Sequence, residues 1–210
     1  MPELIIVFDT ETTNKWDFQA PWNDPKQPDL VQLGYKVFTK ERQCVMEGGF
    51  LVDTSEREGF QMSPEAQNVH GISVKNLRLY GVAPEKAAET FLDWCEKSFL
   101  RVAHNQDFDE KIIDSFMFRT GFTPDSWKST NQPFCTMKST TPICKIPHPK
   151  GWNSYKWPSL QEAYAKLVDP RGFKGAHDAL VDVNACADIF WTLKDRELIH
   201  FSPEFIGVTG

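Results

Sequence analysis

The sequence has no C-x-x-C pair among its five cysteines, no apolar run near the length of a membrane span, and no surplus of positive charge. Each shortage narrows the field. Cys44, Cys95, Cys135, Cys144 and Cys186 are scattered and odd in number, which argues for reduced thiols rather than a disulfide framework. Cys135, Cys144 and His148 offer zinc a partial ligand set, but a fourth ligand and tight spacing are missing. A bilayer span needs ~20 consecutive apolar residues, and no stretch approaches that. The start, MPELIIVF, has no basic region and too short an apolar run for a secretory signal. These absences predict a cytoplasmic protein without membrane contact. The formal net charge of −6 speaks weakly against a nucleic-acid partner, an inference that loses force if several carboxylates serve a metal site. Repeats, low-complexity tracts and linkers are also lacking. The chain therefore reads as a single domain, 1–210, with a core of about 4–195 and a short tail, 196–210.

What is present is a pattern of alternating elements. Leu4–Phe8 is a continuous apolar run suited to a strand buried on both faces. LVQLGYKVFT and CVMEGGFLVD read as two further strands joined by the turn KERQ, an antiparallel hairpin beside the first. SPEAQNVHGI carries helix punctuation: Ser63 as N-cap, Pro64 at the first helical position and Gly71 as terminator. A helix is predicted over Pro84–Phe99, with Ala87, Phe91, Trp94 and Cys95 on one face. LRVAHN reads as a short strand leading into a helix with Asp107 as N-cap, Glu110 three residues on, and Gly121 at its end. Thr123–Pro158 reads mostly as loop, with one short element near FCTMKST. Ser159 caps a helix over SLQEAYAKL, and a longer helix runs through HDALVDVNACADIFWTLKDRE. Clustered strands followed by alternating helix and strand point to an α/β mixed sheet flanked by helices.

Three acidic patches stand out. Asp9 and Glu11 end the first strand, and residues two apart on a strand share a face. Asp109 lies in the first turn of the AHNQDFD helix, where the helix dipole favours an anion. Asp182 lies one turn beyond Asp178 in the last helix, and His177 sits just before that helix or at its cap. Each patch alone has an ordinary structural reading as a turn or helix-start acid. Together they offer oxygens from a strand end and two helices to a pair of hard divalent cations. Magnesium prefers such oxygens, and two ions about 3.5–4 Å apart suit in-line attack on a phosphodiester. A mobile histidine titrating near neutrality is a fitting base for the attacking water.

On these residues the sequence resembles the DEDDh family of 3′→5′ exonucleases, which includes bacterial polymerase proofreading subunits and ribonuclease T. The D-x-E motif appears as FDTET, H-N-x-x-F-D as HNQDFD, and H-x-A-x-x-D as HDALVDV; HGIS, beginning at His70, is similar to the family's HGIT. The resemblance spans about Leu4 to Leu193. It implies a ribonuclease H-like fold, a mixed five-stranded sheet of an antiparallel hairpin plus parallel strands flanked by helices. It also implies hydrolysis of a nucleic acid from a free 3′ end to nucleoside 5′-monophosphates, by a mechanism using two Mg²⁺ or Mn²⁺ ions. Asp9, Glu11, Asp109 and Asp182 would be metal ligands and His177 the general base. Thr12, Thr13, Asn14, Trp16, His70, His104, Asn105 and Phe108 are expected to contact substrate. Single-stranded DNA is the first expected substrate and RNA the second. Two other readings stand beside this one: a non-catalytic nucleic-acid-binding module, and a subunit of a replication or repair assembly, proofreading included. The ending IHFSPEFIGVTG shows no clamp-binding signature, which favours a free-standing protein.

Two departures from the family pattern matter. Relatives often read D-x-E-T-T-G-L; here Asn14 and Lys15 follow the threonines, and a long loop bearing Trp16, Phe18 and Trp22 runs to Asp29. Asn14 tolerates positive φ, so the turn is expected to survive. Either a ring of this loop, foremost Trp16, stacks on the 3′-terminal base, or the rings pack the loop onto the domain. The second departure is CTMKSTTPICKIPHPKGWNSYKW, where Cys135-Thr136 replaces an Asp-Thr pair common in relatives. There Lys138, Lys145, Lys150 and Lys156 interleave with Trp152, Tyr155 and Trp157. Such a composition suits single-strand binding, though a solvated loop shares it.

Overall fold

The computed structural model describes residues 3–202 and 205–208. Its centre is β1 (Leu4–Thr12), whose Ile5, Ile6, Val7 and Phe8 are fully buried. A strand without a solvent face needs cover on both sides, and it has it. On one edge β1 pairs antiparallel with β2 (Leu30–Phe38), which pairs antiparallel with β3 (Cys44–Leu51). On the other edge it runs parallel to β4 (Ser98–Ala103), and β4 parallel to β5 (Gln132–Cys135). The order β3-β2-β1-β4-β5 is the expected mixed five-stranded sheet.

Alternation along β1 sorts its side chains between two cores. Ile5 and Val7 join Val183, Cys186, Phe190 and Trp191 of α7 (Ala179–Asp195) together with Ala163 and Leu167 of α6 (Leu160–Leu167). Ile6 and Phe8 join Phe91 of α3 (Pro84–Glu96), Ile112, Ile113 and Phe116 of α4 (Gln106–Arg119), and Trp127. Smaller helices α1 (Pro64–His70) and α2 (Val74–Tyr80) lie beyond β3 in sequence, α1 with Ser63 capping and Gly71 in the left-handed conformation, as its sequence predicts. Among the described residues no helix is long and apolar enough to cross a membrane.

The structure corrects several expectations. α3 stops at Glu96, because Ser98 and Phe99 already belong to β4. α4 begins at Gln106, not after Asp107; Asn105, with φ +67°, turns the chain into the helix and leaves Asp107 in the first turn, paired with Lys138 at 2.7 Å. The stretch 123–158 holds a 3₁₀ turn, Ser126–Lys128, then β5, then α5 (Thr136–Cys144). α5 is rich in threonine and contains Pro142, a composition poor in intrinsic helicity; burial of Thr136, Met137, Thr140 and Cys144 holds it instead. α2 escaped the sequence pattern because only Leu77 of its residues is buried. The segment read as a tail carries β6 (Ile199–Ser202) and β7 (Phe205–Val208), an antiparallel pair.

Candidate active site

The C-terminal end of β1 is where both helical layers meet the sheet. Asp9 and Glu11 follow Ile5 and Val7 in the alternation and so fall on the α7 side. Asp109 arrives from the opposite layer, in the first turn of α4, and its Oδ1 accepts a 2.7 Å hydrogen bond from the Thr10 hydroxyl. Asp182 comes from the first turn of α7, which Asp178 caps by accepting from Leu180 and Val181 N–H groups. Two helix starts, one per layer, thus aim carboxylates at a single strand end.

Seating α7 there requires a residue without a side chain. Gly34 pairs with Asp9 across the β1–β2 register, and a Cβ at Gly34 would lie 2.6 Å from the Ala179 carbonyl carbon. Gly49, opposite Gly34 on β3, lies under Leu180. Gln32 completes the seat: its Oε1 accepts from the Ala179 N–H at 3.1 Å. Neither glycine nor Gln32 was singled out from sequence. The legible signal was a glycine inside a strand pattern, which marks close backbone approach.

His177 occupies the bend before α7 with φ +70°. Its backbone N–H donates to Asp182 Oδ2 at 2.9 Å, while its ring stands 56% exposed with Nδ1 3.9 Å from Glu11 Oε1. Glu11, His177 and Asp182 bring one potential ligand atom each to within 4.8 Å of one another. Among the described residues no such grouping joins Cys135, Cys144 and His148.

The electrostatics are those of an uncompensated acid cluster. Burial, then repulsion from Asp109, Asp182 and Glu11, pushes the Asp9 carboxyl well above its ordinary range. Burial and the repulsion of Asp182 and Asp109 push Glu11 up to about 8. Burial raises Asp109 to about 7 against the lowering effect of the Thr10 hydrogen bond, and burial also raises Asp182. Asp182 Oδ1 is buried without a hydrogen-bond partner. Four crowded carboxylates and one orphaned oxygen are the donor set a hard divalent cation fits.

Beside Glu11 opens a cavity of about 230 Å³, lined by Thr12, Asn14, Lys15, Ser63, Glu65, Ala66, Val69, His70 and Phe108 as well. Its walls are mainly apolar, with Phe108 of α4 and Ala66 and Val69 of α1 among them. Val69 and Lys15 were not anticipated as lining residues. Asn14 lines the cavity but keeps φ negative; its Oδ1 caps the turn by accepting from Lys15 N–H at 2.8 Å, so no left-handed residue is needed there.

Four of the residues expected to contact substrate are buried or already engaged within the fold. Trp16 is 6% exposed and packs in the core with Phe8 and Phe91, so the loop rings divide: Trp16 anchors, whereas Phe18 and Trp22 are exposed. Thr13 is buried, and its hydroxyl accepts from the Asp29 N–H at 2.9 Å, fastening the loop. His104 has no ring nitrogen to spare. Nε2 donates to the Pro158 carbonyl at 3.1 Å and Nδ1 meets the Thr136 hydroxyl at 2.9 Å. Burial lowers this histidine to about 4, so it is a neutral strut. His70 is similarly committed, Nδ1 accepting from Ile72 N–H at 3.0 Å and Nε2 donating to the Thr12 carbonyl at 3.2 Å, which leaves only its ring face toward the cavity. Thr12 and Phe108 line the cavity, the Thr12 hydroxyl donating to the Asn14 carbonyl at 2.8 Å, while Asn105 is exposed at the start of α4.

A mixed five-stranded sheet in the order β3-β2-β1-β4-β5 with helices on both faces is the ribonuclease H-like fold. The exonuclease family model, that of ribonuclease T, matches residues 6–190. The chain belongs to this exonuclease family. A search of curated protein sequences gives no match. Solved structures of like fold include zinc-bound E. coli exonuclease I with single-stranded DNA, at TM-score 0.71 and 18% identity over 94% of this chain and 41% of that one. E. coli exonuclease I with a dT13 oligonucleotide gives 0.71 and 18% over 93% and 42%, and a product-bound exonuclease I gives 0.71 and 14% over 94% and 44%. This chain therefore spans about two-fifths of those chains, and the likeness is one of fold.

Proposed function

We propose that the protein removes nucleotides one at a time from the 3′ end of single-stranded DNA, with RNA as the second substrate, releasing nucleoside 5′-monophosphates. The observation that carries this reading is the convergence of Asp9, Glu11, Asp109 and Asp182 beside a nucleoside-sized cavity. These four residues would hold divalent cations, two Mg²⁺ or Mn²⁺ ions. Bound there, the ions supply neutralisation of the phosphate's charge and Lewis-acid polarisation of its oxygens.

The remaining work falls to the chain itself. The cavity takes the terminal nucleoside, the base lying between Phe108 and the Val69 side of α1, which leaves the scissile phosphate at the mouth beside Glu11. Asn14 and Lys15 offer polar contacts to the sugar and its terminal hydroxyl. His177, exposed and borne on a bend outside the helix, takes a proton from the water that attacks phosphorus. As the P–O3′ bond breaks, the leaving oxygen takes a proton from solvent, giving a shortened strand with a new 3′ hydroxyl. Glu11, 3.9 Å from Nδ1, stabilises the imidazolium that forms. The test is a 5′-labelled panel of single- and double-stranded DNA, RNA and a mismatched 3′ end, with magnesium, manganese or chelator. Metal-dependent one-nucleotide ladders on single strands are expected. Labelled products that skip sizes instead of stepping by one nucleotide, or degradation in chelator, overturn the reading.

A further inference from the structure

Between Asp125 and Glu162 the chain has no acidic residue, yet it carries five lysines there. In a protein of net charge −6 this is the longest stretch of purely positive sign, and it also carries an unusual display of rings. Trp152 is 60% exposed, Trp157 63% and Tyr155 47%, whereas Trp16, Trp127 and Trp191 are buried. The stretch is built, not loose. Pro147 and Tyr155 form an antiparallel bridge, Lys156 N–H donates to the Ile146 carbonyl at 3.0 Å, and Gly151 N–H donates to the His148 carbonyl at 2.9 Å. Ile146 packs against the main core and roots the hairpin.

Its position ties it to the active site. The residue after Trp157 is Pro158, whose carbonyl accepts the His104 Nε2–H; His104 lies five residues before Asp109 and two before the start of α4. The rings also show how a planar ligand is accommodated. His148 stacks on Trp152 with centroids 4.2 Å apart and planes 12° apart, and Lys150 Nζ lies 5.3 Å from the same indole. Lys156 is paired with Glu162, while Lys145 and Lys150 form no ion pair among the described residues.

We propose that the hairpin of residues 146–157 is a stacking surface for the bases of a single strand upstream of the 3′ end, with Lys145 and Lys150 meeting its phosphates. Charge complementarity favours this polyanion over an apolar protein partner, and base–aromatic stacking tolerates any sequence. The inference rests on the exonuclease reading, because the hairpin flanks that site.

The test compares Trp152→Ala/Trp157→Ala with the ring-preserving Trp152→Phe/Trp157→Phe. Two readouts are taken: steady-state cleavage of a dinucleotide and of a 15-mer, and binding of the 15-mer by fluorescence anisotropy in the Asp182→Asn background. The alanine pair is expected to weaken 15-mer affinity and raise its KM by about tenfold or more, the phenylalanine pair much less, and dinucleotide cleavage is expected to stay within about twofold. Unchanged 15-mer binding in the alanine pair overturns the proposal, as does an equal loss on dinucleotide and 15-mer. Hairpin-dependent 15-mer binding by a wild-type protein that hydrolyses nothing would sustain the surface while overturning the exonuclease reading.

Discussion

Asp182 has one oxygen tied to the His177 N–H and the other buried without a partner, so its position is fixed before any cation arrives. Asp182→Asn keeps the shape and removes the charge. Nucleotide release is expected to fall by about a thousandfold or more, and the thermal shift on adding magnesium to shrink or vanish. His177→Ala separates base from ligands: kcat is expected to drop by about 10²–10⁴-fold while that thermal shift persists. An unchanged kcat in this variant would remove histidine from the chemistry. Gly34→Ala tests the seat of α7 without touching an acid. The added methyl meets Ala179 backbone, and a loss of about 1–3 kcal/mol in denaturant titration is expected, with a lower kcat as Asp182 shifts.

At the scale of elements, the 13–29 loop is held by a buried ion cluster. Asp29, nearly inaccessible, accepts from Arg57 Nη2 at 2.7 Å and Arg119 Nη1 at 2.8 Å, and Arg119 also caps the carbonyls of Pro28, Asp24 and Gln27. Asp29→Ala leaves two guanidiniums facing each other and is expected to cost about 3–5 kcal/mol in chemical unfolding. The clamp explains why Trp16 is core: the loop's route is fixed by partners 28 to 95 residues away, which no local pattern encodes. The same division runs through the rest. Elements with strong periodicity or caps, such as β1, α1 and α6, were legible in the sequence, as were the acids whose spacing follows from strand alternation. α5 and the seat at Gly34 were not, since both depend on contacts made only after the layers pack. His104 shows the limit for site residues. Its motif position was readable, but its commitment to Pro158 and Thr136 was a tertiary fact.

For the whole molecule, the acid cluster sets a dependence on pH. Asp9, Glu11, Asp109 and Asp182 all hold protons more tightly when folded than free carboxyls do, because burial and mutual repulsion disfavour their charges. From about pH 4, where unfolded carboxyls ionise, up to the folded values of about 7 for Asp109 and about 8 for Glu11, the folded chain binds more protons than the unfolded one. The cluster's contribution to stability is therefore greatest below that window and declines as pH rises through it. In chelator the melting midpoint is expected to fall between about pH 5 and pH 8, and magnesium or manganese to restore more of it at the higher pH. A midpoint that climbs with pH in chelator would contradict the cluster. The acids also come from opposite layers, Asp109 with the core of α4 and Asp182 with that of α7. A divalent ion at this strand end is then a rivet through the sheet, and without it like charges wedge the two sides apart. Amide exchange at the first turns of α4 and α7 should slow together on metal addition, far more than exchange at the distant ends of the same helices.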